Sequence, residues 1–407
     1  MTPSATQARR GEDCGTGSIS CRNCFSTDPE IFYESKSVPV NSCILLDSPD
    51  AARAYPTGQI ELAHCRRCGF VWNVRFDQVL AKYNNAYEEQ QSYSPRFNTF
   101  ANELARSWID RHSIRDKTVL EVGCGKGDFL MLLCRLGRNR GIGIDPSYVE
   151  GRLEKERPAP VTFIPDFYSQ RYSHLQADVV CCRHTLEHIP DTAAFMKMIR
   201  ESIGDRPETL VLVELPDVVR VLKECAFWDI YYEHCSYFSL GSLARLFRLS
   251  GFDVLALSKE YDDQYLLIEA RPSTGPASAS LPEEDDLHDL STAVAEFRRT
   301  HEATVRNWKL RIEAWLSEGK KLAIWGSGSK CVAFLNTLGM NHEIDSVVDI
   351  NPHRHGKFLP GTGKEICAPS ALTSRRPDVV IAMNPIYLDE IRRDLAAMSL
   401  HPELTAV

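Results

Sequence analysis

The chain has 407 residues, enough for two to three domains with cores of their own, so a single small module is excluded. Hydrophobic residues at 43% and charged residues at 25% match ordinary globular usage, which excludes a fibrous or wholly disordered chain. The 55 acidic and 47 basic side chains give a net charge of −8, so nothing electrostatic favours nucleic acid as a partner. No apolar run approaches the ~20 residues a bilayer requires, and the polar start MTPSATQARRGEDCG lacks a signal-peptide core. The expected compartment is therefore the cytoplasm, with no membrane partner.

Fourteen cysteines in a reducing compartment point to metal binding, burial or catalysis, and their spacing separates these uses. Cys21-Arg-Asn-Cys24 and Cys65-Arg-Arg-Cys68 each put two thiolates on one tight turn, at the separation a tetrahedral Zn²⁺ needs. Four thiolates leave no open coordination position, which assigns the metal to folding; the alternative is four buried thiols in this pattern by chance. Candidate strands within ESKSVPVNSCILL and TGQIELAHC fill the gap, giving a zinc-binding module over residues 1–80. Cys14 and Cys43 lie outside the pairs. A connector, AKYNNAYEEQQSYSPRF, leads into a helix from about Asn98 to Arg111. Its Tyr83, Tyr87 and Tyr93 either pack ordinarily or face a cleft.

KTVLEVGCGKGDFLMLLCRLG then reads as a buried strand, Thr118 to Val122, a loop carrying Gly123, Gly125 and Gly127, and an amphipathic helix. The glycines allow a ligand close to the backbone, and the acid Glu121 precedes them. GIGIDPS supplies a second strand ending in Asp145, where a carboxylate accepts from ribose hydroxyls. Asp166 in VTFIPDFYS is placed to accept from an exocyclic amine such as that of adenine. A dinucleotide dehydrogenase shares the glycines and the strand-end acid, so the distinction rests on the remaining strands.

With ADVVCCRHTLEHIPD as a fourth strand and helix start, the series E-x-G-x-G-x-G, strand-end D and DVVxxxxxLEHIPD resembles the class I S-adenosylmethionine methyltransferases, over Lys117 to Glu269. The resemblance implies a Rossmann-like domain, here residues 81–270. It implies that Glu121, Gly123, Gly125, Gly127, Asp145, Asp166 and His184 bind the cofactor, with the Arg183 to His188 region beside the transferable methyl. His188 either contacts substrate or only shapes the helix entry.

After a fifth strand, VLVELPDV, the segment FWDIYYEHCSYFS gathers Tyr231, Glu233 and His234 with aromatics. Histidine takes a proton near neutral pH and suits a general base, although aromatics around one histidine are also common core packing. The order of zinc module, methyltransferase core with Y-x-E-H-x-x-x-F-S, and C-terminal nucleotide fold is similar to the zinc-containing C-methyltransferases of nucleotide-linked deoxysugars. That likeness implies a base, His234, taking the proton beside a 4-keto group, with Tyr231, Glu233, His188 and Tyr87 as further catalytic residues. One departure stands out. Where many such enzymes carry His-Gly-Gly, this chain has Glu260-Tyr261-Asp262-Asp263-Gln264-Tyr265, which leaves open whether the acceptor is a nucleotide sugar.

RPSTGPASASLPEEDDL reads as a linker, followed by a long helix whose Leu290, Val294, Phe297, Val305, Trp308, Ile312, Trp315 and Leu316 form one stripe, together residues 271–318. Residues 319–407 then read as a second Rossmann-like domain. KLAIWGSGSK is strand, glycine turn and helix, and two further strands end at Asp349 and Asn384. Helix-start amides favour phosphate, so Ser327, Ser329, Lys330 and Asn384 are candidate nucleotide-sugar contacts, against a purely structural domain as the alternative.

The expectation is thus a three-part α/β enzyme that transfers methyl from S-adenosylmethionine to carbon of a nucleotide-linked keto-deoxysugar. The rivals are O- or N-methylation of another sugar or metabolite, a noncatalytic zinc-organised binding module, and a nicotinamide oxidoreductase using the C-terminal half. The oligomeric state and the carbon methylated are not readable.

Overall fold

A computed structural model of the chain describes residues 19–81, 83–153, 160–276, 278–340 and 342–407; Cys14 lies outside them. The N-terminal part holds β1 (Pro29–Pro39), α1 (Pro49–Arg53), β2 (Thr57–Cys65) and β3 (Val71–Asn73). The first strand leaves the sheet at Pro39, earlier than the apolar pattern suggested. Beyond it the chain bridges other parts of the molecule, Ile44 to Tyr87 and Leu46 to Phe358. Next comes α2 (Pro95–His112), which starts earlier than expected because Ser94 caps it and Pro95 fits its first turn.

The middle part runs β4 (Thr118–Val122), α3 (Asp128–Gly137), β5 (Arg140–Ile144), β6 (Val161–Ile164), β7 (Val179–Arg183), α4 (Thr192–Ile203), β8 (Leu210–Pro216), α5 (Val218–Lys223), β9 (Ser236–Tyr237), α6 (Leu240–Leu249), β10 (Phe252–Glu260) and β11 (Tyr265–Pro272). Seven of its strands form one sheet in the order β10-β11-β8-β7-β4-β5-β6. β8, β7, β4, β5 and β6 are parallel neighbours, and β11 enters antiparallel. The order reverses at β4, the switch point where open α/β sheets bind ligands. β9 lies outside this sheet and pairs with β3, Val71 opposite Tyr237 and Trp72 opposite Ser236, so a strand from the middle part completes the N-terminal sheet; the Asn73 N–H extends the pairing by donating to the Cys235 carbonyl.

α7 (Leu287–Ser317) spans the parts. Phe297 packs on Phe32 and Tyr33 of β1, and Trp308 packs on Phe334 of the C-terminal domain. Leu290, Phe297 and Ile312 are fully buried, so truncating Phe297 would cost about 3–5 kcal/mol. The C-terminal domain comprises β12 (Leu322–Trp325), α8 (Ser329–Leu338), β13 (Ser346–Val348), β14 (Ile366–Cys367), α9 (Leu372–Arg375), β15 (Val379–Ala382), α10 (Leu388–Ala397) and β16 (Glu403–Ala406). Its five parallel strands run β14-β13-β12-β15-β16, again with a switch point at the first strand of the domain. Among the described residues no helix is long and apolar enough to cross a membrane.

Candidate functional site

The loop after β4 is built from left-handed glycines. Gly123 has φ +73, and a Cβ there would lie 1.8 Å from the Thr185 hydroxyl oxygen. Gly125 donates its N–H to Asp145 Oδ2 at 2.8 Å, and Ser147 donates to Oδ1 at 2.7 Å, so the strand-end acid also shapes the loop. Lys126, which sequence reasoning passed over, is buried and donates to the carbonyls of Tyr87 (2.6 Å) and Ser147 (2.8 Å), pinning the tyrosine-rich connector over the loop. Glu121 is buried with Oε2 unpartnered, and burial pushes its carboxyl up to about 8. A cationic ligand beside it would reverse that shift. Asp166 stands at the rim, held by the Tyr172 hydroxyl and Arg171 and kept low chiefly by the Tyr172 bond.

At the end of β7, Arg183 grips Glu214 with two bonds (2.8 and 3.0 Å), and His184 Nε2 meets the same carboxylate at 2.8 Å. Burial lowers His184, but Glu187 and Glu214 outweigh it and raise its pKa to about 9. The following turn carries Glu187 and His188. His188 Nδ1 lies 2.7 Å from the Tyr83 hydroxyl and 3.0 Å from the Glu233 carbonyl.

The segment between α5 and β9 brings His234 against this turn. Its ring lies tilted against Tyr231, centroids 4.1 Å apart, and sits edge-on to His188 at 4.8 Å. Burial first, then His188, His184 and Lys330, hold its pKa well below 6.5, so the imidazole is neutral at physiological pH. Glu233 faces away from the cavity wall. Ser42 donates to its Oε1 from both N–H (2.7 Å) and hydroxyl, and Tyr87 donates from 3.4 Å. Burial raises that carboxyl to about 7.

On the C-terminal side, Ser327 turns inward, giving its N–H and hydroxyl to Asp349 Oδ2 at 2.7 Å each. Ser329 bonds Ser42 (2.6 Å), and Lys330 pairs with Asp229 (2.7 Å); both line the cavity. Asn384 also lines it, but its amide pairs reciprocally with Gln264 at 2.8 and 3.1 Å. Gln264 comes from the segment that replaces His-Gly-Gly. This turn, with Tyr261, Asp262 and Asp263 all left-handed, reaches the C-terminal domain, where the Tyr261 and Tyr387 hydroxyls meet at 2.8 Å.

These residues surround one cavity of about 1080 Å³ that all three parts line, from Cys43 and Tyr87 through the glycine loop and His234 to Ser329 and Asn384. Ser327 and Glu233 lie behind its wall. Away from it, Cys21, Cys24, Cys65 and Cys68 bring their sulfurs within 4.8 Å of one another, with 3.6 Å between Cys21 and Cys68 and 3.5 Å between Cys24 and Cys65. A tetrahedron with Zn–S bonds of about 2.3 Å has edges of about 3.8 Å, so the four thiols fit such an ion.

A family model described as a methyltransferase domain matches residues 97–257, and one described as a C-methyltransferase C-terminal domain matches residues 271–401. The chain is 27% identical to C-methyltransferase NovU of Streptomyces niveus over 389 residues, 91% of this chain and 90% of that protein. A ubiquinone biosynthesis O-methyltransferase of Acinetobacter baylyi is 30% identical over 132 residues, 30% of this chain and about half, 53%, of that protein. Among solved structures, the PH0226 protein of Pyrococcus horikoshii aligns with 47% of this chain and 100% of its own, at 17% identity and TM-score 0.38. A Burkholderia thailandensis 1,6-didemethyltoxoflavin-N1-methyltransferase with bound S-adenosylhomocysteine aligns with 43% of this chain and 79% of its own, at 19% identity and TM-score 0.34.

Proposed function

We propose that this chain, an S-adenosylmethionine-dependent methyltransferase, delivers its methyl group to carbon, removing a proton next to the ketone of a nucleotide-linked keto-deoxysugar. The observation that carries this reading is His234: a neutral imidazole, backed by Tyr231 and His188, in a cavity wall shared with the glycine loop and the C-terminal domain. A carbon acid needs a base beside its carbonyl, whereas a phenol or amine needs far less help. S-adenosylmethionine supplies an electrophilic methyl when bound.

The chain's own residues divide the work. Gly123, Gly125 and Gly127 let the methionine end approach the backbone, and Glu121 offers its unpartnered oxygen to the ammonium there. Asp145 accepts from the ribose hydroxyls, Asp166 faces the adenine amine, and His184 orders the strand end beside the methyl. His234 takes the acceptor's proton while the C–H electron pair stays with the enolate. Tyr87, Tyr231 and His188 position the carbonyl compound, and Glu233 acts from behind through Tyr87. Ser329 and Lys330 are the cavity-facing groups for a sugar diphosphate, and Ser327 and Asn384 fix that wall through Asp349 and Gln264. Cys21, Cys24, Cys65 and Cys68 hold Zn²⁺ for folding. The whole-length likeness to a C-methyltransferase supports the carbon acceptor.

The test is the product of ¹³C-methyl S-adenosylmethionine with a panel of thymidine-diphospho-4-keto sugars. The reading expects the labelled methyl bonded to carbon next to the ketone. A methyl on oxygen or nitrogen, or turnover of none of the panel with firm cofactor binding, contradicts it.

A further inference from the structure

Glu187 is a buried carboxylate with no hydrogen-bond partner on either oxygen, set in the cavity wall beside His234. Such a charge is strongly disfavoured unless its surroundings compensate. Its side chain is 3% exposed, with Oε1 3.6 Å from His184 Nδ1 and 3.9 Å from His234 Nε2. His184 gives its other nitrogen to Glu214, which also holds Arg183. Charges therefore alternate along Arg183, Glu214, His184 and Glu187, and the row ends at His234.

The other groups facing the His234 ring offer it no anion. His188 is tied through Nδ1 to Tyr83 and the Glu233 carbonyl, and the Glu233 carboxylate points to Ser42. Tyr231 and Tyr237 present rings, and Lys330 is paired with Asp229. Among the described residues, Glu187 supplies the carboxylate within 4.0 Å of a His234 nitrogen.

We propose that Glu187 is the positioning residue of the base: it accepts the Nε2–H of His234, leaves the Nδ1 lone pair for the acceptor's proton, and stabilises the imidazolium that forms. The inference rests on His234 as the base. The acceptor's proton goes to Nδ1, its C–H electron pair stays with the enolate, and no further reactant enters. A histidine base held by a carboxylate at its second nitrogen is a recurring arrangement, because the carboxylate fixes the tautomer without itself taking the proton. Among cationic and neutral neighbours, Glu187 is the anion placed to offset the imidazolium that forms when His234 takes the proton.

Long-range ¹H–¹⁵N spectra of the full chain labelled at histidine read each tautomer without any acceptor, and His234→Asn identifies the signal. The expected result is an Nε2–H tautomer in the wild type and a mixed or switched tautomer in Glu187→Gln. In D₂O, exchange of the proton beside the ketone of thymidine-diphospho-4-keto-6-deoxyglucose should fall at least tenfold in Glu187→Gln and recover most of its rate in Glu187→Asp. A wild-type Nδ1–H tautomer overturns the proposal, and decides the case even if Glu187→Gln fails to fold. So does a Glu187→Gln protein matching the wild type in both tautomer and exchange. Exchange that persists in His234→Ala instead removes the base reading itself, a result distinct from either.

Discussion

The backbone N–H of Asn73 donates to the carbonyl of Cys235 at 2.9 Å, so the strand leaving the cysteine cluster ends on the residue after His234. From the other side, Ser42 of the same N-terminal part holds Glu233, the residue before it. A Cβ at Gly58 of β2 would collide with the Tyr232 ring, so that strand also closes against the segment. The module that gathers four thiols is therefore the wall against which His234 is set.

Metal analysis should find one zinc per chain, and Cys65→Ser should lose it. Removing one of four thiolates from a closed site takes away folding energy as well as a ligand. The expected variant melts at lower temperature and turns over at least tenfold more slowly. Calorimetry should show S-adenosylhomocysteine binding nearly unchanged, because the glycine loop belongs to the other sheet.

Asp145→Asn should weaken S-adenosylhomocysteine binding by about 10–100-fold. Hydrogen bonds to a charged group contribute about 1.5–3 kcal/mol, and this carboxylate holds the Gly125 and Ser147 amides and, on the proposed reading, would accept from the ribose as well. Calorimetric titration checks it.

The Glu233 carboxyl gives a pH signature. Its pKa rises on folding from 4.5 to about 7, so the folded state binds the extra proton. The stability this contributes is present below 4.5 and is lost as pH rises through 7. Glu233→Gln, which keeps an acceptor for Ser42, should lack this loss. Urea unfolding should show the variant gaining on the wild type by about 2–3 kcal/mol between pH 4.5 and pH 8.

Asn384→Ala leaves the buried Gln264 amide without its partner, a cost of about 1–3 kcal/mol. Because that pair joins the β10–β11 turn to the C-terminal domain, KM for the acceptor should rise several-fold with cofactor affinity unchanged. Steady-state kinetics with calorimetry separates the two.

What could be read from the sequence was local. Thr118–Val122 is a strand with the boundaries expected of its β-branched run, and Asp145 lies at the next strand's end because the glycine loop and α3 fix the spacing. The two CxxC turns likewise carry their geometry in four residues each. What could not be read depends on distant partners. Ser42 meets Glu233 across 191 positions, and β9 joins a sheet begun near residue 29. Ser327 looked like a phosphate ligand until Asp349 turned it inward. Glu187 did have a signal, standing between His184 and His188, but its burial without a hydrogen bond on either oxygen and its approach to His234 appear only once the chain is folded. Lys126 sits among glycines, and no local pattern announces the two carbonyls that it binds.

The central claim is that His234 strips a proton from carbon, and solvent exchange tests it most directly. With thymidine-diphospho-4-keto-6-deoxyglucose in D₂O and S-adenosylhomocysteine in place of the methyl donor, the wild type should place deuterium beside the ketone. His234→Ala should slow that exchange by about 10²–10⁴-fold, the usual contribution of a positioned base. Deuterium entering at the wild-type rate in His234→Ala would contradict the account.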